Sequence, residues 1–341
     1  MELYSLNINK NFIEGKNVLI TGGTGSFGNK MVETLLQFNP NKIIIFSRDE
    51  FKQYHMGKKF PEKKYPCMRY LIGDIRDYDR LNFAFCDIDI IFHAAALKQV
   101  PAMEYNPTEA IKTNIYGAEN LIRAAINNNV KKVIAISTDK AVSPVNLYGA
   151  TKMCFEKLFI AANNMVGERD ICFSVMRYGN VFGSRGSVVP LFLKQSKDNL
   201  FTITDKRMTR FTMTLQDAIN FVLNSANKMI GREIFIPKLP SYNIEQLAKV
   251  INPEAEIKYI GIRPGEKIHE CMINTHESHN TLNCNNYFIV LPNKNAIDKY
   301  KENYKEDFVS IREENDEYSS GNNKLIENKN LKHLIEAMFN H

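Results

Sequence analysis

The chain has 341 residues, 44% of them hydrophobic, enough to bury a sizeable core in about two domains or in one domain with an appendage. Its formal charge of +6 arises from 44 basic and 38 acidic residues spread along the sequence, with no basic arm or helix. That balance fits an anionic ligand and argues against a nucleic-acid interface. Cys67, Cys86, Cys154, Cys172, Cys271 and Cys284 form no CxxC pair and no cluster, which argues against a disulfide framework or a zinc knuckle and for reduced thiols in the cytoplasm.

In chain order, Met1 to Lys16 mixes Glu, Asn and Lys with isolated apolar residues, so it does not read as a signal peptide. Later apolar runs are strand-sized, and no membrane anchor is expected. From residue 17 short β-rich runs alternate with longer helical ones, the pattern of a parallel sheet covered on both faces. Strands are expected over 17–21, 42–47, 69–73, 88–94, 132–137 and 172–178, with helices over 28–38 and 147–162 among the intervening stretches. These strands make an α/β, Rossmann-like, doubly wound dinucleotide-binding domain over 14–180. Beyond it, 181–341 breaks into shorter pieces carrying Pro and Gly. It is expected to form mainly a smaller, discontinuous substrate-binding α/β cap, with some segments returning to the sheet. The polar stretch 313–330 reads as an ordered surface excursion or as partly disordered.

The first expected strand runs into Thr21-Gly22-Gly23-Thr24-Gly25-Ser26-Phe27-Gly28 and then a helix. Glycines there let the backbone approach a pyrophosphate while the helix N-terminus offers amides and positive dipole, which assigns Gly22, Thr24, Gly25, Ser26, Phe27 and Gly28 to a cofactor. The second strand ends Ser47-Arg48-Asp49, where an NAD enzyme places an acid against the ribose hydroxyls. Ser47 stands there instead, and Arg48 offers a fork to a 2′-phosphate, which favours NADP. The competing reading makes Arg48 a solvated helix-start residue and Asp49 an N-cap. Asp74-Ile75 after the third strand can hold an adenine edge and face, and Ala94-Ala95-Ala96 after the fourth let a dinucleotide lie against the backbone.

After the fifth strand come Thr138-Asp139-Lys140 and then Tyr148-Gly149-Ala150-Thr151-Lys152. The YxxxK spacing puts Tyr148 and Lys152 on one helical face, where a nearby ammonium favours the phenolate that takes a proton from a sugar hydroxyl. His269, Glu270, Cys271, His276, Glu277 and His279 suggest a metal cluster at first sight, but HExxH is absent and no strict ligand spacing fits, so no metal is expected.

The strings TGGTGSFG, SRDE, GDIRD, HAAALK, STDKA, LYGATK, RYGNV, GSRGSVVP, TDKRMTRF and RPGEK, with Asn114 between them, resemble extended short-chain dehydrogenases over about residues 14–290, with a weaker echo at Glu317-Tyr318-Ser319-Ser320. The nearest resemblance is to the inverting UDP-N-acetylglucosamine 4,6-dehydratases that begin pseudaminic acid synthesis. It implies that hydride leaves sugar carbon 4 for NADP⁺, water is eliminated across carbons 5 and 6, and hydride returns to carbon 6. Tyr148 is then the base at O4, Lys152 its electrostatic partner, Thr138 a positioner, Asp139 the acid on the departing 6-hydroxyl and Lys140 the base at carbon 5. The competing reading of Asp139 and Lys140 is a salt bridge capping the strand.

The resemblance also brings Lys98 and Asn114 to the cofactor. It assigns Lys98, Tyr178, Asn180, Val189, Pro190, Thr204, Arg210, Arg263 and Glu266 to the UDP-N-acetylglucosamine substrate, against surface ion pairing for Arg210 and Arg263. A homo-oligomer, dimer or hexamer, is implied. The alternatives are a retaining 4,6-dehydratase or a 4-epimerase on the same scaffold and, more distantly, a non-catalytic NADP-binding sensor. Asp139-Lys140 argues against the epimerase, which has no elimination to catalyse, and Tyr148 favours inversion.

Overall fold

Strands buried on both faces need unbroken apolar runs, which Val18 to Ile20, Ile43 to Phe46 and Ile90 to Phe92 supply. In the computed structural model, which describes residues 3–184 and 186–338, these runs lie at the centre of a parallel sheet. Its first strands are β1 (Asn17–Thr21), β2 (Lys42–Ser47), β3 (Met68–Ile72), β4 (Ile90–His93), β5 (Lys132–Thr138) and β6 (Cys172–Tyr178). They pair in the order β3-β2-β1-β4-β5-β6, with Ile20 registered between Ile45 and Phe92. The strand expected from residue 88 starts at Ile90 because Asp87 is left-handed (φ 61°) and Ile88 is spent on that turn. The expected 28–38 helix is Ser26–Leu35 followed by a 3-10 turn, Leu36–Phe38, whereas Leu147–Ala162 is helical as read.

The sheet does not stop at β6. Ile234–Pro237 joins it in parallel, and Tyr287–Val290, Thr281–Cys284 and Phe308–Ile311 extend it antiparallel. A second apolar cluster, including Val189, Phe192, Phe201, Leu247 and Leu331, organises a smaller lobe. That lobe contains the helices Val188–Gln195, Ile244–Ile251 and Asn328–Ala337 and the parallel pair Leu200–Ile203 with Glu256–Tyr259. The 313–330 stretch is an ordered excursion: Tyr318–Ser319 pairs with Cys271–Ile273, Ser320 is buried and Leu325 bridges to Ser241. Among the described residues, no helix is long and apolar enough to cross a membrane.

Neighbouring β1 and β4 connect to opposite sides of the sheet, and a crevice forms outside their carboxyl ends at this switch point. Thr21 and His93 are register partners there, as are Thr138 and Tyr178 two strands along.

Candidate active site

The chain leaves β1 through Gly22, whose φ of +65° strains any side chain and where a Cβ would stand 2.9 Å from the backbone N and Cα of Ala95. The glycine loop therefore lies directly on the Ala94-Ala95-Ala96 run. Gly25 caps the Ser26–Leu35 helix with no side-chain hydrogen bond, leaving first-turn amides without a side-chain acceptor. Thr24, Ser26, Phe27 and Gly28 belong to the same turn. A cradle without a Cβ, facing alanines at a bare helix N-terminus, fits a dinucleotide pyrophosphate. Beneath it the Thr21 hydroxyl is 2.6 Å from His93 Nδ1 and accepts from the Ala95 amide. Burial, helped by the Lys152 charge, pushes the His93 pKa down to about 3, so the ring is neutral.

At the end of β2, Ser47 is buried and its hydroxyl accepts from Gln53 Nε2 at 3.0 Å. Asp49 is the N-cap of the Glu50–Lys59 helix, accepting from the Lys52 amide, as the competing reading has it. Half-exposed Arg48 does not simply face solvent, because it stands 3.5 Å from Asp74. Asp74 also accepts from Arg76 Nη2 and Nε at 2.6 and 2.9 Å, and Arg76 reaches Glu109 at 2.7 Å. Burial would raise the Asp74 carboxyl, but Arg76 and then Arg48 hold it below its ordinary value. Asp74 thus organises a pair of arginines, with buried Ile75 beside it.

Asn114 lies in a π-helical turn, Lys112–Tyr116. It donates to Leu97 O (2.9 Å) and Thr151 Oγ1 (3.0 Å) and accepts from the Leu97 amide (2.8 Å). Both amide protons are committed within the chain, so Asn114 ties the loop after β4 to the Tyr148 helix. Lys98, on that loop, is exposed.

Thr138 ends β5, and Asp139–Ala141 forms a 3-10 turn. Asn146 caps the next helix by accepting from the Gly149 amide at 2.8 Å. A Cβ on Gly149 would be 2.2 Å from the Lys140 carbonyl oxygen, so glycine is what seats Tyr148 over this turn. Asp139 is fully buried, and its Oδ1 accepts from the Thr138 hydroxyl (2.9 Å) and Lys140 Nζ (3.1 Å), while Oδ2 is buried without a partner among the described residues. Lys140 Nζ is also 3.1 Å from Glu270 Oε1.

Burial raises the Asp139 pKa and Glu270 adds to this, with Lys140 opposing. Burial would make Lys140 a weaker cation, but Asp139 and Glu270 more than offset it. Two carboxyl groups therefore favour the protonated form of Lys140 here. Burial raises the Tyr148 phenol, opposed by Lys140 and a hydrogen bond with Thr138. Lys152, expected beside the phenolate, donates to Ile136 O at 2.6 Å, and its ammonium lies 3.3 Å from the Phe155 ring centroid. Burial, opposed by Glu156, brings its pKa down to about 7. The cation that favours the Tyr148 phenolate here is Lys140.

On the substrate side, Tyr178 is buried at the end of β6, and Asn180 Oδ1 is a buried acceptor without a partner among the described residues. Val189 sends its side chain into the smaller core, which leaves its backbone and partly exposed Pro190 to border a ligand. Thr204 donates to Met208 Sδ at 2.9 Å. Arg210 is buried, giving Nη1 to Thr209 O and Ile268 O and Nη2 to Lys267 O. It is therefore not a surface arginine: carbonyls accept from both of its terminal nitrogens, and its Nε is 3.7 Å from Glu270. Arg263 is exposed, with its backbone amide 3.3 Å from Glu266 Oε2. Asn146 Nδ2 to Gly265 O (2.7 Å) and Lys267 Nζ to Val142 O (2.6 Å) fasten this turn to the catalytic loop. Arg185 of the GSRGSVVP string lies outside the described residues.

The 269–279 group disperses into separate partnerships: Glu270 with Lys140, Glu277 with Arg177, and His269 Nδ1 with Thr209 Oγ1 at 2.8 Å. Glu270 is the site residue that the sequence reading did not assign. Its neighbours suggested a metal, and only tertiary pairing brings it to Lys140.

A family model described as polysaccharide biosynthesis protein matches residues 18–292. The chain is 55% identical over 287 residues to a UDP-N-acetylglucosamine 4,6-dehydratase (inverting) of Campylobacter jejuni, covering 83% of this chain and 85% of that one. It is 42% identical over 332 residues to a UDP-glucose 4-epimerase of Rickettsia bellii, covering 94% and 95%. Among solved structures, Pen from Bacillus thuringiensis matches with a TM-score of 0.85 at 39% identity, over 96% of this chain and 99% of that one. DesIV, a dTDP-glucose 4,6-dehydratase from Streptomyces venezuelae with NAD and TYD bound, matches with a TM-score of 0.65 at 20% identity over 74% and 86%, a likeness of fold.

Proposed function

The chain belongs to the polysaccharide biosynthesis protein family of extended short-chain dehydrogenases, and we propose on that footing that it is a UDP-N-acetylglucosamine 4,6-dehydratase inverting carbon 5. The observation that carries the reading is the Asp139–Lys140 pair on the turn beneath Tyr148, with Asp139 buried and Lys140 partly so. An epimerase needs a tyrosine and a cofactor but no acid for a departing hydroxyl and no base at carbon 5.

The nicotinamide dinucleotide that this site would hold would supply a hydride acceptor for sugar carbon 4 and a hydride donor for carbon 6. We assign it as NADP, supported by Ser47 in place of an acid and by Arg48, with Arg76 adding a second guanidinium beside Asp74. The glycine turn 22–28 and the alanines 94–96 would hold the pyrophosphate.

Tyr148 takes the O4 proton, positioned by Thr138. Asp139, whose pKa burial raises, gives a proton to the departing 6-hydroxyl. The 4-keto group acidifies carbon 5, whose proton passes to Lys140 in its neutral form, and a solvent-derived proton delivered to the opposite face gives the 4-keto-6-deoxy-L-arabino sugar. Asn180 presents a buried acceptor that suits a sugar hydroxyl, and Tyr178, Pro190, Thr204, Arg263 and Glu266 border the substrate. We place the step at the head of pseudaminic acid synthesis, in the cytoplasm and in a homo-oligomer.

Proton NMR of the product formed from UDP-N-acetylglucosamine in deuterated water tests this. The expected product is a 4-keto-6-deoxy sugar with deuterium at carbon 5 and L-arabino coupling constants. A C4 epimer, or D-xylo stereochemistry, contradicts it.

A further inference from the structure

Glu270 is almost fully buried, and the backbone fixes its position: its amide donates to Ser320 Oγ at 2.9 Å and its carbonyl accepts from the Ser320 amide at 2.7 Å. Its Oε1 stands 3.1 Å from Lys140 Nζ, and its Oε2 is buried without a partner among the described residues. The catalytic turn thus receives a carboxylate from a segment more than a hundred residues away in sequence.

We propose that Glu270 is a positioning residue for the carbon 5 proton transfer, holding Lys140 Nζ in place and setting the pH at which that amine becomes a base. This rests on the dehydratase reading. In the step concerned, the C5–H bond breaks, an N–H bond forms on the neutral Lys140 amine, and the electron pair passes toward the carbon 4 carbonyl. The amine becomes an ammonium, whose charge Glu270 compensates. The same attraction disfavours the neutral amine before the step, so Glu270 exchanges basicity at low pH for stabilisation of the charge that forms.

The charged and titratable groups around the pair are Asp139 on the turn itself, Tyr148 on the Leu147–Ala162 helix, Arg210 on Thr209–Phe211, Tyr242 on Ser241–Asn243, and Lys267. Loss of the Glu270 charge leaves Arg210 repelling Lys140, which lowers its pKa further. Asp139 opposes this in part, because without Glu270 it ionises more readily.

Two measurements on the full chain test the proposal. One is the pH dependence of carbon 5 deuterium incorporation from UDP-N-acetylglucosamine. The other, needing neither cofactor nor substrate, is the pH dependence of Lys140 acetylation, read by mass spectrometry. In Glu270→Gln the rising limb of both profiles is expected to move to lower pH by about 1–3 pH units. Glu270→Asp, which keeps the charge but retracts it, is expected between the two and decides the matter if Glu270→Gln does not fold. Profiles that stay in place, or that lose amplitude without moving, overturn the role of Glu270 while leaving the dehydratase reading intact. Absence of carbon 5 exchange in the unsubstituted chain overturns both.

Discussion

Tyr148 and Lys140 lie over one turn, yet the proposed chemistry uses them in successive steps, so their substitutions separate. Tyr148→Phe removes the group that takes the O4 proton, and no NADPH absorbance is expected in a single turnover with UDP-N-acetylglucosamine. Lys140→Ala leaves oxidation possible and is expected to accumulate reduced cofactor with a 4-keto hexose, while carbon 5 exchange falls about 10²–10⁴-fold. Near-normal turnover by Lys140→Ala contradicts the assignment and makes the Asp139–Lys140 pair structural. For the cofactor, Arg48→Ala is expected to cost about 1–3 kcal/mol of NADP(H) affinity, measured by titration beside NAD(H). Tighter binding of NAD(H) by the unsubstituted chain contradicts the NADP assignment. Tyr148, Asp139 and Lys140 were legible because their neighbours in sequence are also their neighbours in space. The protonation of Lys140 was not, since it depends on Glu270, and neither was the commitment of Arg210 to the carbonyls of Lys267 and Ile268.

Between elements, the Arg177 guanidinium at the end of β6 is buried. It contacts Glu156 on the Tyr148 helix (2.6 and 2.9 Å), Glu277 (2.9 and 3.0 Å) and Met272 O (2.7 Å). Ser137 adds a hydrogen bond to Glu156 at 2.6 Å, so the helix is pinned to the sheet directly below the reacting groups. Arg177→Met strands two carboxylates and is expected to lose about 3–5 kcal/mol in denaturant unfolding. Glu277 gives the pH sign. Burial would raise its carboxyl, but Arg177 holds it below the ordinary value. Its contribution is therefore complete above the unfolded pKa of about 4.3 and is lost as pH falls through the lower folded value. Glu277→Gln is expected to flatten the acid loss of stability below about pH 4; an unchanged slope contradicts this. The first strands were legible because doubly buried parallel strands are continuous apolar runs. The strands that extend the sheet after β6 are only four residues each and lie far from it in sequence, so only the general return of segments to the sheet was read, without its extent.

For the whole molecule, the surface around the catalytic helix bears on assembly. Tyr105 is 88% exposed, Tyr116 55% and Met153 39%, on Val100–Tyr105, Lys112–Tyr116 and Leu147–Ala162, elements that pack on one another. Exposed large apolar side chains on neighbouring elements suit a self-complementary contact, in which each copy presents the same surface across a two-fold axis. Burying that patch would also stiffen the helix that carries Tyr148 and Lys152. A homo-oligomer is therefore expected in sedimentation at micromolar concentration, at least a dimer and, if dimers associate further, a hexamer. The double variant Tyr116→Lys, Met153→Lys places like charges on both copies of the patch and is expected to shift the protein toward monomer. Its far-UV circular dichroism should stay unchanged, because both side chains are substantially exposed in the single chain. A monomer in the unsubstituted protein contradicts the assembly. An oligomer unaffected by the double variant places the contact on another face.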